Sequence, residues 1–488
     1  MAIDEDILQV LREQNPWHTA GRVPEALAKR TERTLGSSLW SVLVADEPRR
    51  FQLVLGPRRV GKTTVLYQTV RHLLRDGQLD EQRVWWMRLD HPRLMRVGLD
   101  ELVRLLVEYS GATTASPVYL MLDELVYAEN WDLWLKTFHD DRWPVRIAAT
   151  SSATAALRDR RPESGVGRWN EQYLTPYSFG EFLELRGLGS PPSAEATLRE
   201  TLGTVEVSSD MPKAVGDLRL LFMLVGGFPE LLAALSTDAE RLQDELLQSQ
   251  QVLRTDAVER AVYKDIPQTF GVDNPMLLER LLYVLAAQMT GILSPTELAR
   301  ELQMGQPTVD RYLSYLEQAF LVFTLTNYSG REASVQKRGR RLFFLDGAVR
   351  NAALQRGLRP IGDEVERGAL IENLVAATLR TVALHTGTRL HFWRDKGKEV
   401  DFVLDQPGAE LALEIGSSTS HSRAALMAFS ERYRRFRGGC WLVTPDSPYL
   451  PPEETKSGVG TMSLEHFLIA ASAQAERDLR VRLGLRGS

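Results

Sequence analysis

Short apolar runs alternate with amphipathic helical patterns from residue 46 to about residue 190. Four of these runs have the length and composition of strands: Gln52–Leu55, Val84–Arg88, Val118–Leu122 and Arg146–Thr150. The third is apolar at every position, as expected for a strand that is covered on both faces. Strands that alternate with helices predict a parallel sheet with right-handed crossover connections, and therefore an α/β fold.

The pattern changes outside this region, and the changes divide the chain into five segments. We expect an N-terminal helical segment (1–45), an α/β core (46–190), a helical lid (191–272), a winged-helix-like module (273–340) and a second α/β domain (341–488). In the last segment, helix and strand patterns mix with glycine, proline and charged turns. The sequence therefore predicts two α/β regions separated by helices.

A glycine-bounded loop joins the first candidate strand to a helical pattern. It follows the pattern G-x-x-x-x-G-K-T, in which backbone N–H groups and a helix N-terminus surround a phosphate. Glycine is needed at both ends because the loop uses backbone shapes that a Cβ would obstruct. Lys62 would contact the β- and γ-phosphates and Thr63 the Mg²⁺ ion, whereas Arg58 and Arg59 could contact phosphate or solvent. The expected nucleotide-binding residues are Gly56, Pro57, Arg58, Arg59, Val60, Gly61, Lys62, Thr63 and Thr64.

An acidic pair, Asp123-Glu124, directly follows the apolar run Val118–Leu122. In P-loop NTPases one such carboxylate holds Mg²⁺, and a second orients and deprotonates the attacking water. Adjacent acidic residues are also common in solvated turns, but this pair stands about 60 residues after a phosphate loop and at the end of a buried strand. We therefore expect Asp123 to be a metal ligand and Glu124 to be the catalytic base.

Two further candidates lie downstream of the acidic pair. The hydroxyl residues Thr150-Ser151-Ser152 end the fourth candidate strand. Ser152 could sense the γ-phosphate, or the hydroxyls could cap the following helix. Arg168 follows a glycine-rich stretch and could be an arginine finger, supplied in cis or by a neighbouring subunit, or an ordinary surface residue.

Two short helices joined by a turn are predicted between residues 294 and 318. Ser294 to Glu297 form a capping box with proline at the first helical position, and Pro307 begins the second helix. This arrangement fits a winged-helix module, which can bind DNA or pack against protein. Basic residues on the second helix and in the following wing would meet DNA phosphates. These expected DNA contacts are Arg311, Lys337, Arg338, Arg340 and Arg341.

Composition narrows the class of protein. The 488-residue chain is 43% hydrophobic and carries a net charge of −5, so contacts with nucleic acid must come from local basic patches. A single cysteine, Cys440, excludes a disulfide framework and a multi-thiolate metal site and suits a reducing cytoplasm. The N-terminus lacks a signal-peptide pattern, and no apolar stretch is long enough to span a membrane. We expect a cytoplasmic protein without membrane contact.

Several motifs together resemble one family. They are GPRRVGKTT (56–64), LDELVYAENW (122–131), the stretch 150–185, GGFPE (226–230), YLSYLEQAFLV (312–322), FFLDGAVRN (343–351), LIENLVA (370–376) and KEVDFVL (398–404). They are similar to those of AAA-type P-loop ATPases of bacteria and archaea whose C-terminal part is a domain of unknown function with a restriction-endonuclease-like fold. The resemblance implies ATP and Mg²⁺ as cofactors, a homo-oligomer, and the strand of the acidic pair in the middle of the sheet.

The resemblance also implies a metal site in the last segment. Restriction-type nucleases set an Asp beside Glu-x-Lys on neighbouring strands, and Asp401 and Glu414, with Glu372, match the acidic positions. Gly416 stands where the lysine is expected. Losing that cation would remove assistance to the nucleophile and the leaving group. We therefore expect a degenerate nuclease-like domain.

These observations predict a Mg²⁺-dependent ATPase that acts on DNA as a remodelling or repair motor, with branched or forked DNA as one candidate substrate. One alternative is a nucleotide-gated signalling switch that binds a protein partner. Another is an active DNA nuclease with an ATPase module. DNA-stimulated ATP hydrolysis would distinguish the motor from the switch.

Overall fold

A computed structural model describes residues 2–45, 48–152, 167–190, 192–205, 214–234, 239–329, 339–416 and 421–485. The chain forms two compact units, one of residues 1–175 with 479–488 and the other of residues 176–478. The first unit unites the expected N-terminal segment with most of the α/β core. The second contains most of the remaining segments.

The first unit is built on a parallel sheet of five strands in the order β2-β3-β4-β1-β5. The strands are β1 Phe51–Leu55, β2 Val84–Arg88, β3 Val118–Asp123, β4 Val145–Ser151 and β5 Trp169–Tyr173. All four candidate strands are present, with ends displaced by no more than one residue. The sequence pattern did not indicate β5, because Asn, Glu and Gln occupy its centre.

The strand order differs from the expectation that the acidic pair ends the middle strand. The middle strand is β4, and β3 lies between β2 and β4. The carboxyl ends of β1, β3 and β4 still meet at one edge, because these strands pair in parallel: Leu55 pairs with Ser151, and Leu122 pairs with Ala149. The phosphate loop, the acidic pair and the hydroxyl residues therefore lie at the same edge of the sheet.

The helices of the first unit cover the sheet and its β2 edge. They are α1 Ala2–Gln14, α2 Trp17–Ala20, α3 Glu25–Ala28, α4 Thr34–Val44, α5 Lys62–Arg75, α6 Leu99–Tyr109 and α7 Trp131–Asp140. The buried Trp17 indole donates a hydrogen bond to Val84 O at 2.9 Å. Asn15 exchanges hydrogen bonds of 2.9 and 2.6 Å with the backbone of Trp86. The N-terminal helices thus satisfy backbone groups that an open edge strand would expose.

A mixed sheet of eight strands runs through the second unit in the order β13-β12-β11-β10-β9-β7-β8-β6. The strands are β6 Ile292–Leu293, β7 Val322–Asn327, β8 Arg340–Phe344, β9 Arg389–Asp395, β10 Lys398–Asp405, β11 Leu411–Ile415, β12 Cys440–Thr444 and β13 Val459–Ser463. Pairing is antiparallel from β7 through β8 to β6 and from β9 to β11, and parallel between β7 and β9 and from β11 to β13. The expected boundary between residues 340 and 341 lies within β8, so the sheet continues across it.

The helices of the second unit precede, interrupt and follow this sheet. They are α8 Phe179–Leu185, α9 Leu198–Thr204, α10 Ala214–Val225, α11 Pro229–Ala234, α12 Ala239–Leu253, α13 Ile266–Phe270, α14 Pro275–Ala287, α15 Pro295–Leu302, α16 Gln306–Gln318, α17 Gly347–Leu354, α18 Arg359–Gly362, α19 Glu364–Thr386, α20 Ala424–Arg432 and α21 Leu464–Arg482. π-Helical turns cover Arg254–Glu259 and Ala261–Asp265. Within the described ranges, no helix is both long and apolar enough to cross a membrane.

The two short helices expected after residue 294 are α15 and α16. The Ser294 hydroxyl accepts a hydrogen bond from the Glu297 N–H at 3.3 Å, which is the N-cap contact of the expected capping box. Gln303, with φ +54°, ends α15, and Gly305 precedes the first residue of α16. The antiparallel strands β7 and β8 follow, and β8 also pairs with β6. The helix pair is therefore packed into the same unit as the start of the large sheet.

Candidate nucleotide-binding site and acidic cluster

The loop between β1 and α5 requires glycine at Gly56 and at Gly61 for different steric reasons. A Cβ on Gly56 would lie 2.1 Å from the backbone oxygen of Leu174, on the segment that follows the neighbouring strand β5. Gly61 has φ +98° and precedes the first residue of α5. Arg59 also has a left-handed backbone, with φ +65°. The loop is thus held tightly against β5 and ends at a helix N-terminus, where backbone N–H groups favour an anion.

Lys62, the first residue of α5, turns back into the loop. Its Nζ donates hydrogen bonds to Gly56 O at 3.0 Å and Pro57 O at 2.8 Å, and the residue is buried. An ammonium group at this place lies among the backbone groups that would surround a phosphate. Its contacts with loop carbonyls are of the kind that phosphate oxygens can replace, because Lys donates and cannot accept hydrogen bonds.

Thr63 and Asp123 meet although they are far apart in sequence. The Thr63 hydroxyl contacts both carboxylate oxygens of Asp123, at 3.2 and 2.9 Å. Asp123 Oδ1 also accepts a hydrogen bond from the Thr150 hydroxyl at 2.6 Å. Hydroxyl and carboxylate oxygens are the ligands that Mg²⁺ takes in phosphate-binding sites. The two residues expected to hold the metal therefore lie together beside the phosphate loop.

Burial raises the pKa of the Asp123 carboxyl to about 6. The nearby Glu124 charge raises it as well, whereas the hydrogen bonds from Thr150 and Thr63 and the charge of Lys62 lower it. Asp123 is only 4% exposed, so its ionised form depends on these neighbours. A carboxylate so placed gains stabilisation from a cation, which is what a metal ligand requires.

Glu124 begins the turn after β3 in a left-handed backbone conformation, with φ +58°. Its N–H donates to the Thr150 hydroxyl at 3.0 Å, and its Oε2 accepts a hydrogen bond from the Ser152 hydroxyl at 3.2 Å. A left-handed non-glycine residue costs roughly 1–2 kcal/mol, so the surrounding contacts must hold it there. The hydroxyl residues at the end of β4 thus orient both members of the acidic pair.

Ser152 was the hydroxyl residue expected to sense the γ-phosphate, but Thr150 makes more contacts with the acidic pair. Thr150 donates to Asp123 and accepts from the backbone of Glu124, which links the two acidic residues. The signal was present in the sequence, since carboxyl ends of adjacent parallel strands share one edge. Only the register of β3 against β4 shows which hydroxyl lies opposite Asp123.

Arg168 lies at the end of the first sheet where the strands begin, opposite the end that carries the phosphate loop. It directly precedes β5, whose Trp169 pairs with Phe51 at the start of β1, whereas the phosphate loop follows the end of β1. Five residues of strand separate these edges by about 16 Å. The guanidinium also pairs in bidentate fashion with Asp140, at 2.8 and 2.9 Å. The cis alternative is therefore wrong: Arg168 does not reach the phosphate loop of its own chain.

Two of the three expected nuclease-like acidic residues, Glu372 and Asp401, pair with a buried arginine. Arg341 is 6% exposed and forms ion pairs with Glu372, with Asp401 at 3.2 Å and with Glu399 at 3.0 Å. This placement corrects the expectation that Arg341 contacts DNA phosphates, because its guanidinium is enclosed by carboxylates. Glu399 was not among the expected residues, although the two-residue period of a strand places it on the same face as Asp401.

Glu414 completes this group from the adjacent strand β11. Phe402 pairs with Leu413, which sets Asp401 beside Glu414. Asp401 Oδ2 accepts a hydrogen bond from the Ile415 N–H at 2.8 Å, and Glu414 Oε1 contacts His421 Nε2 at 3.0 Å. Burial, with the nearby Asp401 charge, raises the pKa of Glu372 to about 8. Burial also raises the pKa of Glu414 to about 7, against the hydrogen bond from His421.

The position expected for the nuclease lysine has no room for a side chain. A Cβ on Gly416 would lie 2.7 Å from the Cβ of His421. Across the described ranges, no group of three or more His, Cys, Asp or Glu residues has the arrangement to hold a metal ion. The acidic residues are thus brought together, but an arginine and a histidine accompany them in place of a lysine and an open metal position.

The remaining expected DNA contacts divide into two groups. Arg311 on α16 and Arg340 at the start of β8 are exposed. Lys337 and Arg338 lie outside the described residues. Beside Arg311, Tyr312 is buried, and Tyr315 stacks on Phe270 with a centroid separation of 4.0 Å. The aromatic side of α16 therefore packs inward, and Arg311 lies on its exposed side.

Three segments of the chain match known protein families. Residues 48–183 match an AAA domain. Residues 218–359 and 367–455 match two domains of unknown function, DUF8612 and DUF4143. The AAA match covers all five strands of the first sheet and every residue of the phosphate site. Together with the parallel sheet it supports a P-loop NTPase domain in this chain.

Proteins from several microbes are similar to this chain over most of its length. An uncharacterized protein of Methanocaldococcus jannaschii is 25% identical over 370 residues, which are 75% of this chain and 74% of the relative. One of Haemophilus influenzae is 21% identical over 393 residues, 79% of this chain and 87% of the relative. One of Mycobacterium tuberculosis is 28% identical over 382 residues, 76% and 71% of the two chains. The similarity therefore extends well beyond the AAA segment.

Solved structures give only distant similarities. The Aeropyrum pernix ORC2 protein is 12% identical, with a TM-score of 0.35 over 68% of this chain and 95% of that chain. The Thermotoga maritima RuvB Holliday junction branch migration motor is 16% identical, with a TM-score of 0.30 over 64% and 94% of the two chains. Both similarities are too low to indicate a function.

Proposed function

We propose that this chain is an ATP hydrolase that requires Mg²⁺. The observation that carries the proposal is the convergence of Lys62, Thr63, Asp123 and Glu124 at the edge where β1, β3 and β4 end. ATP fits these residues because the glycine-bounded loop ends at the N-terminus of α5, where backbone N–H groups favour a phosphate. Mg²⁺ fits them because the Thr63 hydroxyl lies 2.9 Å from the buried Asp123 carboxylate. The AAA match over residues 48–183 supports the same class.

Each residue has a distinct task in this proposal. The loop backbone and Lys62 bind the β- and γ-phosphates, and Thr63 and Asp123 hold the metal, which when bound neutralises charge that develops on the phosphates. Glu124 orients the attacking water and accepts its proton. Ser152 holds the Glu124 carboxylate through its hydroxyl, and Thr150 holds the backbone that carries it.

The ATPase proposal is tested with two variants of the full chain. Lys62→Ala should abolish nucleotide binding or turnover, because it removes the cation that contacts the phosphates. Glu124→Gln should retain ATP binding and lose hydrolysis, since the amide cannot accept the proton. Binding is measured by fluorescent-nucleotide titration and turnover by phosphate release. Wild-type turnover in Glu124→Gln would show that Glu124 is not the base.

We propose further that the ATPase acts on DNA, through a winged-helix module formed by α15, α16 and the β7–β8 hairpin. Supporting this are the helix pair, the hairpin that follows it, and the exposed Arg311 and Arg340. In helix-turn-helix modules the second helix lies in the major groove, and basic side chains around it neutralise DNA phosphates. We also propose that the strands β9 to β13 of the same sheet belong to a restriction-endonuclease-like fold. Its pairing changes from antiparallel to parallel at β11, where Glu414 lies.

The DNA proposal is tested by ATP hydrolysis with and without single-stranded, duplex and branched DNA. A motor should be stimulated by DNA and bind it in a salt-sensitive manner, because phosphate contacts release counterions. The double variant Arg311→Ala/Arg340→Ala should weaken DNA binding. The control variant, Arg104→Ala, removes an exposed arginine of α6 and should leave DNA binding unchanged. Slow turnover that no DNA alters would favour the alternative, a nucleotide-gated switch that binds a protein partner.

We propose a homo-oligomer as the working form, in which Arg168 reaches the site of a neighbouring subunit. The separation of Arg168 from its own phosphate loop supports this reading, and the bidentate pair with Asp140 would have to open on assembly. The test mixes Lys62→Ala chains with Arg168→Ala chains, each expected to be inactive alone, and measures ATP hydrolysis by the mixture. Recovered ATP hydrolysis would support a shared site, and light scattering that finds a monomer at every nucleotide and DNA concentration would contradict it.

A further inference from the structure

A single guanidinium occupies the centre of the acidic cluster in the second unit. Arg341 Nη1 lies 3.0 Å from Glu399 Oε1 and 3.2 Å from Asp401 Oδ1, and Nη2 contacts Glu372. Its Nε donates to Thr290 O at 3.0 Å. The position of this cation is therefore determined from two sides, by the carboxylates and by a backbone carbonyl.

The cluster contains more negative than positive groups. Glu372, Glu399, Asp401 and Glu414 supply four carboxyl groups, and Arg341 pairs with three of them. The half-exposed Arg394 lies 3.9 Å from Glu399, and His421 contacts Glu414. Glu414 is 9% exposed, and its Oε2 is buried without a hydrogen-bond partner. A buried carboxylate oxygen without a partner is costly, so the cluster depends on the positive charge of Arg341.

We propose that the Arg341 guanidinium takes the place of a divalent cation among Glu372, Glu399 and Asp401, with Glu414 beside them on the adjacent strand, so that this unit carries a latent metal site that its own arginine closes. Two consequences follow. The wild-type chain does not bind a divalent cation in this cluster, and the second unit does not cleave phosphodiesters. Removing the positive charge opens the site to a metal ion, because the carboxylates then need another cation.

The chemistry of the group favours this assignment over an ordinary buried ion pair. An arginine that serves only as a salt-bridge partner needs one carboxylate, and a planar guanidinium pairs best in bidentate fashion with one. Here its contacts are spread over three carboxyl groups from α19 and β10, as the contacts of a metal ion would be. His421, packed over Gly416 and bound to Glu414, fills the neighbouring space.

The test uses the nucleotide-free full chain and Mn²⁺ as the probe. Arg341→Met keeps the length of the side chain and removes its charge, and Arg341→Lys is the matched control that keeps a cation. We expect Arg341→Met to gain one Mn²⁺ site with a dissociation constant of roughly 10⁻⁴–10⁻³ M, as for weak carboxylate sites. Electron paramagnetic resonance counts free Mn²⁺, and wild type and Arg341→Lys should lack this site.

A triple variant distinguishes the gained site from any Mn²⁺ that binds near the phosphate loop. Adding Asp401→Asn and Glu414→Gln to Arg341→Met should remove the gained site and leave only the binding seen in wild type. Thermal melting provides a second readout, since Mn²⁺ should raise the Tm of Arg341→Met and not that of Arg341→Lys. An Arg341→Met chain that folds only with Mn²⁺ would support the proposal as well.

Three results would overturn the proposal. The first is Mn²⁺ binding by wild type that Asp401→Asn and Glu414→Gln abolish, because the arginine would then not exclude the metal. The second is an Arg341→Met chain that folds but gains no site. The third is an Arg341→Met chain that stays unfolded with and without Mn²⁺, since a cation in the same place should restore the charge balance.

Discussion

Replacing Thr150 by valine should disturb both members of the acidic pair at once. Valine keeps the branched shape of threonine but can neither donate to Asp123 Oδ1, now at 2.6 Å, nor accept from the Glu124 N–H, now at 3.0 Å. A hydrogen bond to a charged group contributes about 1.5–3 kcal/mol. The pKa of Asp123 is raised to about 6 because burial raises it more than the hydrogen bond from Thr150 lowers it.

The loss should appear as a change in the pH dependence of ATP hydrolysis. In the proposed mechanism Asp123 binds metal in its ionised form, so activity should fall as pH drops through the pKa of Asp123. Destabilising the ionised form of Asp123 by about 1.4 kcal/mol raises its pKa by about one unit. The acidic limb of the kcat/KM profile then moves to higher pH by the same amount. Thr150→Val should therefore lose activity at neutral pH and recover it at higher pH.

The assay is phosphate release across a pH series, with kcat/KM taken at each pH because it reports groups of the free enzyme. Thr150→Ser keeps the hydroxyl and is the matched control, which should follow the wild-type profile. A Thr150→Val profile whose acidic limb coincides with that of wild type would refute the role assigned to this hydroxyl. A uniform loss at every pH would indicate displacement of Glu124 rather than protonation of Asp123.

Three further predictions follow from single contacts. Gly56→Ala should abolish nucleotide binding in a fluorescent-nucleotide titration, because its Cβ would lie 2.1 Å from the backbone oxygen of Leu174. Ser152→Ala should retain ATP binding and reduce turnover by roughly tenfold, the value of one net hydrogen bond of about 1.4 kcal/mol to Glu124, as measured by single-turnover kinetics. Trp17→Ala should lower the stability of the first unit by about 3–5 kcal/mol in urea denaturation, because the indole is fully buried.

Local sequence patterns were enough to predict the elements that form the candidate phosphate site. The run Val118–Leu122 is apolar because the strand is covered on both faces, and the loop pattern needs glycine for steric reasons, so both appear in the sequence as residue types at fixed spacing. The parallel orientation of the strands then follows from the alternation of strands and helices. The four candidate strands, the loop and the acidic pair were therefore predictable within one residue at their ends.

Strand order depends on packing between distant segments, which local spacing does not encode. The resemblance placed the acidic pair on the middle strand, but β4 holds that position. The edge strand β5 lacks an apolar run because only part of it is buried. Arg168 looked like a candidate for its own site because it lies in a glycine-rich stretch, and only the parallel pairing of β5 with β1 places it at the opposite edge.

By itself, the sequence determined where the glycine-bounded loop and the acidic pair lie, since these depend on residue types at short range. Tertiary structure alone decided what Arg341 does. Its sequence neighbourhood is basic and suggested a surface for DNA, yet the pairing of β8 with β6 and β7 turns its side chain among Glu372, Glu399 and Asp401. A buried charge is stable only beside opposite charges, and these come from segments up to 60 residues away that meet only in the folded chain.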